Sequence, residues 1–513
     1  MNKIISTFGL LLIGILASAQ TSTYPKAEPL KYPFGPIGDS ASRGIFGADD
    51  RKEVNDVNGI ADFTRATAVM IPKKNIIGNK ISGNRLRERL TYLYKSKNFD
   101  ENVKFLDQPT CANCTGFLIA PDILVTAGHC IEKLEDAKDF VWVFDYTIDR
   151  VSTTGTSVSV KKSDIYYVEE VMSAYFQDIS TYTDYSVLKL NRKSERAPYR
   201  FRTSDKVSSW DNVYTIGSPT GLPLKFADNA IVVDNTPTKW FKNSIDGFPG
   251  NSGGPVFNKN GFIEGIHVRG AVELHDGTYT GDYAYDKDCD CIKTVQWNTT
   301  AGTAGSHSHR ITAVPSDVLQ QALYENILYA IETNNMDRYN SWAAYSWLFD
   351  MDYTEERGRL EFEAAKNDNW PMVRAISQNL MNISTVDKYG KNLLFYAIEA
   401  NKSAELDYFL KKGLSPNTVS NSQETPLSLA IQSNKTDLAT LLLKRGSKID
   451  TKDNNGNTPL ILAVNSGNME LIKALVAKGA SLNTKNNDGH TALKRAKKLK
   501  LKPIKKFLKK AGK

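Results

Sequence analysis

The spacing of hydrophobic positions changes twice along the chain. Between residues 66 and 268 they come in short runs rich in β-branched and aromatic residues: Ala66–Ile71, Gly116–Ala120, Ile123–Ala127, Phe140–Tyr146, Tyr185–Leu190, Asn212–Ile216, Ile231–Val233, Pro255–Phe257 and Phe262–Val268. Each run is bounded by Gly, Pro, Asn or Asp, and no long amphipathic helix separates them. Many short strands with such punctuation predict an all-β barrel or sandwich. The spacing turns helical at Ser316–Glu332, which Pro315-Ser316-Asp317 opens as a helix start.

Beyond Tyr353 a fixed period takes over. Asn392-Leu393-Leu394, Thr425-Pro426-Leu427, Thr458-Pro459-Leu460 and Thr491-Ala492-Leu493 recur every 33 residues, and Ala364, Ala397, Ala430, Ala463 and Ala496 keep the same step. Self-similarity at this period predicts stacked helix pairs, with a first, worn unit starting near Arg359. The Thr-Pro-Leu starts and turns such as Lys478-Gly479-Ala480-Ser481-Leu482-Asn483 resemble the ankyrin repeat over residues 355–513. The resemblance implies an all-α solenoid offering a protein-binding surface, with a structural spacer as the alternative. Its end, Lys494 to Lys513, is crowded with lysine around Leu499, Ile504, Phe507 and Leu508. This end reads first as a cap whose outer face must be polar, and second as a basic helix for membrane or nucleic acid.

Composition narrows the class. At 513 residues, two or more domains are expected, and 41% hydrophobic with 24% charged residues is a soluble globular balance. The net charge of +8 is modest and concentrated at the C-terminus, so composition does not argue for nucleic acid. Lys3, the apolar run from Phe8 to Leu16 and Ala17-Ser18-Ala19 before Gln20 form a signal-peptide pattern over residues 1–19. The run falls short of the ~20 apolar residues that a membrane span needs, and no other segment is a candidate. An exported protein, secreted or periplasmic, is therefore expected. Residues 20–47 are rich in Pro, Gly and Ser and read as a leader or removable pro-segment, with Arg43 as a weak processing point. Export allows disulfides among Cys111, Cys114, Cys130, Cys289 and Cys291, and the odd count leaves at least one thiol over. Disulfides are the expectation over a zinc site at these cysteines.

Candidate chemistry centres on Gly250-Asn251-Ser252-Gly253-Gly254-Pro255. Three glycines and a proline around one serine suit a sharp turn that exposes a hydroxyl. A serine nucleophile needs a base and amides free to hold an oxyanion. Among six histidines, His129 follows a strand-like run in Thr126-Ala127-Gly128-His129-Cys130, and Asp184 opens the apolar strand Asp184-Tyr185-Ser186-Val187-Leu188-Lys189-Leu190. These motifs, in the order His, Asp, Ser, resemble the trypsin/chymotrypsin-like serine proteases. The run also fits the G-x-S-x-G elbow of α/β-hydrolases, but the alternating helices of that fold are missing.

The resemblance implies two six-stranded β-barrels over residues 48–334 with the site between them, then a helical connector at 335–354. Ser252 would be the nucleophile, His129 the general base, Asp184 the group that orients it, and the amides of Gly250 and Ser252 the oxyanion hole. It also implies a Cys114–Cys130 disulfide, leaving Cys111 to join Cys289 or Cys291. No metal or cofactor is implied, and the substrate is a protein or peptide. A catalytically inactive, protease-like binding module is the alternative.

Where trypsin-type zymogens carry an aspartate before the serine, Asn251 stands here, which argues against activation by that ion pair. The stretch from Asp246 to Asn258, Gly265-Ile266-His267 and Gly47-Ala48-Asp49-Asp50-Arg51 are similar to the bacterial branch that includes glutamyl endopeptidases. Specificity rests between Asp246, where trypsin holds a basic side chain, and His267, where glutamyl endopeptidases hold an acidic one. The balance leans to an acidic P1 residue. Asp282, Asp286, Asp288 and Asp290 read as a solvated loop before a calcium site, and His307-Ser308-His309 as a loop without metal.

Overall fold

The computed structural model describes residues 49–176, 183–270, 274–275, 278–279, 283–295, 305–343, 358–380 and 382–512. The expected signal peptide, the leader with Arg43, and Asp282 lie outside the described residues.

The apolar runs pair into two antiparallel sheets. The first has the order Val168–Phe176, Asp184–Leu190, Ile123–Thr126, Cys114–Ala120, Thr67–Pro72, Phe140–Phe144 and Ile165–Tyr166. The second has the order Lys52–Glu53, Lys225–Asp234, Asn212–Gly217, Pro255–Asn258, Ile263–Arg269, Ser306–Arg310 and Trp240–Asn243. Lys225–Asp234 also pairs with Trp240–Asn243, so six of these strands close a ring and Lys52–Glu53 is added outside it. Closure leaves the six-stranded ring itself without a free edge, whereas the first sheet ends at Val168–Phe176 and Ile165–Tyr166. Bulges at Val213/Thr215, Val232/Asp234 and His267/Arg269 supply the bending.

All seven residues of Cys114–Ala120 are buried, not alternately buried and exposed, because the helix Ser316–Glu332 packs on this strand. Asn326 of that helix is fully buried and donates through Nδ2 to the Ile119 carbonyl at 2.7 Å and to the Ala322 carbonyl at 2.8 Å. A second helix, Met336–Trp342, sets Trp342 beside Phe201. The Tyr324 hydroxyl reaches the Gly358 carbonyl at the start of the repeats. Five helix pairs follow, from Leu360–Lys366 with Trp370–Asn379 to Ala492–Lys498 with Lys502–Ala511. The 33-residue period has a local cause at each end of a unit. Thr425, Thr458 and Thr491 cap their helices by accepting from the amides of Ser428, Ile461 and Lys494. Gly413, Gly446 and Gly479 end the second helices with φ of 96°, 88° and 90°, which a side chain would strain. The chain is thus multidomain, with β-barrel sheets followed by a helical array. No helix among the described residues is long and apolar enough to cross a membrane.

Three differences from the sequence reading stand out. His307-Ser308-His309 is not a loop but the centre of the strand Ser306–Arg310. Its polar residues carry little strand propensity, and pairing on both sides decides its conformation. The strand Val168–Phe176 is half-exposed at a sheet edge and has no clear apolar alternation. The helix Leu86–Tyr94 also interrupts the barrel sequence, burying only Leu86 and Leu90.

Candidate active site

The strand Ile123–Thr126 delivers the chain into a tight turn before His129. A Cβ at Gly128 would lie against the main-chain oxygens of Tyr175 and Tyr185, so only glycine lets three backbones meet there. Cys130 is then bridged to Cys114 on the adjacent strand, with an S–S distance of 2.01 Å. Asp184, 1% exposed, opens its strand opposite Phe176. Its Oδ1 accepts from the His129 amide at 3.1 Å, and its Oδ2 lies 2.7 Å from His129 Nδ1. One carboxylate thus fixes both the main chain and the ring of His129, whose side chain stays 30% exposed.

Ser252 is positioned by the strand that carries Cys114. The Thr115 amide donates to the Ser252 carbonyl at 2.8 Å, while Thr115 Oγ1 donates to the Gly250 carbonyl at 2.7 Å and accepts from the Ser218 amide at 3.1 Å. Gly250 and Gly253 have φ of 96° and 85°. A Cβ on Gly253 would strike Thr126 Oγ1 and the Thr115 carbonyl and lie 2.8 Å from the Ala127 amide, so the serine turn abuts the end of the strand before His129. Cys114 and Thr115, adjacent in sequence, therefore tether the histidine loop and the serine turn. Among the described residues, neither the Gly250 nor the Ser252 amide donates to a protein group, which leaves both free for a ligand oxygen. No hydrogen bond joins the Ser252 hydroxyl to the His129 ring among the described residues; such bonds commonly tighten only around substrate.

The two specificity candidates lie before and after this turn in the chain. Asp246 lies against the N-terminal segment, with its carboxyl beside that of Asp50 and Arg51 close by. Burial first, then the neighbouring carboxyl charge, pushes the Asp246 carboxyl well above the usual carboxylate range, and burial raises that of Asp50. Arg51, 2% exposed, pairs with Asp49 Oδ1 at 2.8 Å through Nε and lies 3.7 Å above the Phe248 ring. Asn251 Nδ2 donates to the Asp246 carbonyl at 3.0 Å, where an aspartate could not.

His267 is 1% exposed, and its main chain brackets the serine turn: the Gly253 amide donates to its carbonyl at 2.7 Å, and its amide donates to the Gly254 carbonyl at 2.8 Å. Its Nδ1 is buried without a hydrogen-bond partner among the described residues. Burial, then His307 and His129, pushes its pKa down to about 3, so the ring is neutral. Burial also lowers His307 to about 4.

The remaining cysteines depart from expectation. Cys289 bonds to Cys291 and Cys111 is a buried free thiol. Cys111 Sγ packs near Gly83 and the Tyr146 hydroxyl, while Cys289 and Cys291 sit together on the hairpin formed by Tyr283–Asp286 and Cys291–Thr294. In that hairpin Asp286 pairs with Lys293 and accepts from the Asp288 amide, and Asp290 accepts from the Tyr285 hydroxyl. Thr115, Asp50 and Arg51 are the site residues that sequence reasoning did not assign a role. Thr115 carries no motif; the motif resemblance around Asp49-Asp50-Arg51 was the one available signal.

Residues 114–266 match the family model of the trypsin-like peptidase domain, and residues 362–453 and 445–513 match that of ankyrin repeats. An extracellular metalloprotease of Bacillus subtilis (strain 168) is 22% identical over 281 residues, covering 51% of this chain and 80% of that protein. The chain thus joins a trypsin-like peptidase domain to a C-terminal ankyrin array, which supports a protease with a repeat module for protein contacts.

Proposed function

We propose that this chain is an exported serine endopeptidase acting through Ser252, His129 and Asp184. The observation that carries the reading is the Asp184 clamp on His129, with a bond of 2.7 Å to Nδ1, beside a serine turn tethered by Thr115. In this reading Asp184 holds the proton on Nδ1 and leaves Nε2 to accept one from the Ser252 hydroxyl. Ser252 Oγ attacks the peptide carbonyl, the amides of Gly250 and Ser252 receive the oxyanion, and His129 returns the proton to the leaving amine. Water, deprotonated by His129, then hydrolyses the acyl-enzyme.

The name of the Bacillus relative mentions a metal. In this chain Cys114, His129 and Cys130 lie within metal-ligand distance of one another, but the two sulfurs are bonded together and offer no thiolate. That cluster does not fit a metal. Hydrolysis of casein by the full chain and by Ser252→Ala tests the serine mechanism. Activity lost in the variant supports it, equal activity in both contradicts it, and no activity in either favours an inactive binding module.

The finer proposal is an acidic P1 residue, in the manner of glutamyl endopeptidases. It is supported by the Nδ1 of His267 beside the serine turn, which has no partner among the described residues, and by the position of Asp246 against Asp50 and Arg51, which engages it within the protein. Cleavage-site profiling on a peptide library decides it: cuts after Glu or Asp support the reading, and cuts after Lys or Arg overturn it. The ankyrin array would bind a protein, either the substrate or a partner.

A further inference from the structure

In the first three helix pairs several basic side chains are matched to carboxylates: Lys366 to Glu363, Arg374 to Glu405, Lys391 to Glu399, Lys402 to Asp368, and Lys411 and Arg445 to Asp407. Among the described residues no lysine beyond Arg445 forms an ion pair, and the last helix pair also carries no carboxylate of its own. Residues 494–513 contain 11 Lys and Arg and no acidic residue, and 65 less these 11 leaves 54 basic against 57 acidic residues in the rest of the chain. The whole positive balance of the protein therefore sits on one end. Among the described residues, no lysine from Lys494 to Lys510 forms an ion pair, and Lys494, Lys497, Lys498, Lys500, Lys502, Lys506, Lys509 and Lys510 are exposed. His490, alongside, is held below the usual histidine range by partial burial and then by Lys494 and Lys498.

Capping explains the inward face of this pair, where Ala496, Ile504 and Leu508 are buried. It does not explain the outward face, since a cap needs polarity and not a single sign. Lys502 with Lys506, Lys505 with Lys509, and Lys506 with Lys510 are like charges four residues apart, and each such pair weakens a helix. We propose that this lysine face docks the protein on the anionic headgroups of a phospholipid membrane. Lysine is a compact point charge suited to phosphate, whereas base recognition favours the forked guanidinium of arginine and exposed aromatic rings. Here the single arginine, Arg495, is engaged with Asn465 Oδ1 at 2.6 Å, and Phe507 packs against the array core. Leu499, 38% exposed between Lys498 and Lys500, adds an apolar side chain able to enter the headgroup layer. The apolar residues of the last helix are committed to the array, so attachment is electrostatic and not by insertion of that helix.

Co-sedimentation of the full chain with phosphatidylcholine vesicles, with and without phosphatidylglycerol, tests the proposal. Binding is expected only to the anionic vesicles and is lost between about 0.1 M and about 1 M salt. Each lysine near such a surface contributes about fivefold to partitioning, so K502Q/K505Q/K506Q/K509Q is expected to weaken binding on the order of a hundredfold or more. The variant removes like-charge pairs and should melt no lower than the parent, which a parallel thermal scan checks. Unchanged vesicle binding by the folded variant overturns the proposal, since it would place the attachment elsewhere, for example at the apolar N-terminus. Tighter binding to duplex DNA than to anionic vesicles, abolished by the same substitutions, also overturns it in favour of nucleic acid.

Discussion

Thr115→Val isolates the tether between the two halves of the site. Valine keeps the shape of threonine but removes Oγ1, which donates to the Gly250 carbonyl at 2.7 Å and accepts from the Ser218 amide at 3.1 Å. Thr115, Gly250 and Ser218 are all buried, so water does not readily replace either bond. Leaving two buried polar groups without this partner costs about 1–3 kcal/mol each, and local relaxation brings the total to about 2–4 kcal/mol. For a domain of this size that is a Tm loss of roughly 5–10 °C. The same change releases the carbonyl of Gly250, whose amide is the proposed oxyanion donor. Outright loss of one such donor lowers kcat by about 10²–10³, and misalignment should cost about 10–100-fold with KM little changed. Steady-state kinetics on a peptide substrate, read beside Thr67→Val, provides the assay. Thr67 is equally buried in the same sheet and bonds to the Tyr199 hydroxyl at 2.8 Å, away from the serine turn. If both variants lose stability and keep the same kcat, Thr115 does not position the oxyanion hole.

Other outcomes follow from neighbouring groups. Asp184→Asn should preserve the fold and lower kcat by about 10⁴, because the amide stabilises the wrong tautomer of His129; kcat within tenfold of the parent would contradict the triad. Asp246→Asn removes a carboxyl whose pKa is raised by burial and then by the charge of Asp50. A raised carboxyl pKa favours the folded state at low pH and is lost as pH rises, so this variant should melt higher than the parent near pH 8 and equally near pH 4. His267 has the opposite sign: its folded pKa of about 3 lies below the unfolded 6.5, so its contribution is complete above 6.5 and lost as pH falls towards 3. Chemical denaturation of His267→Gln across that window should show a pH slope shallower than the parent by about 1.4 kcal/mol per pH unit, and identical slopes would refute a neutral buried ring.

What was legible in the sequence were the features with a local physical cause. The helix Ser316–Glu332 has the bounds expected from its start signal and periodicity. The repeat period reflects threonine caps and glycines with positive φ, each of which needs its own residue type. The motifs around His129, Asp184 and Ser252 mark three turns or strand ends, and the structure brings these together through the bonds of Asp184 and Thr115. Features decided by tertiary contact were not legible. Ser306–Arg310 is a strand because of its neighbours, and Thr115 matters because of what lies across from it. The carboxyl beside Asp246 is that of Asp50, far away in the chain, so a specificity argument from position alone missed this engagement. The pairing of Cys289 with Cys291 likewise depends on a hairpin whose strands gave no alternating pattern.

The most direct test of a Ser-His-Asp peptidase is covalent labelling of the full chain with a peptidyl phosphonate, followed by mass spectrometry of the modified peptide. The account predicts one adduct on Ser252, formed only slowly in His129→Ala and not at all in Ser252→Ala. Labelling of another residue, or no labelling of a chain that still cleaves casein, would contradict it.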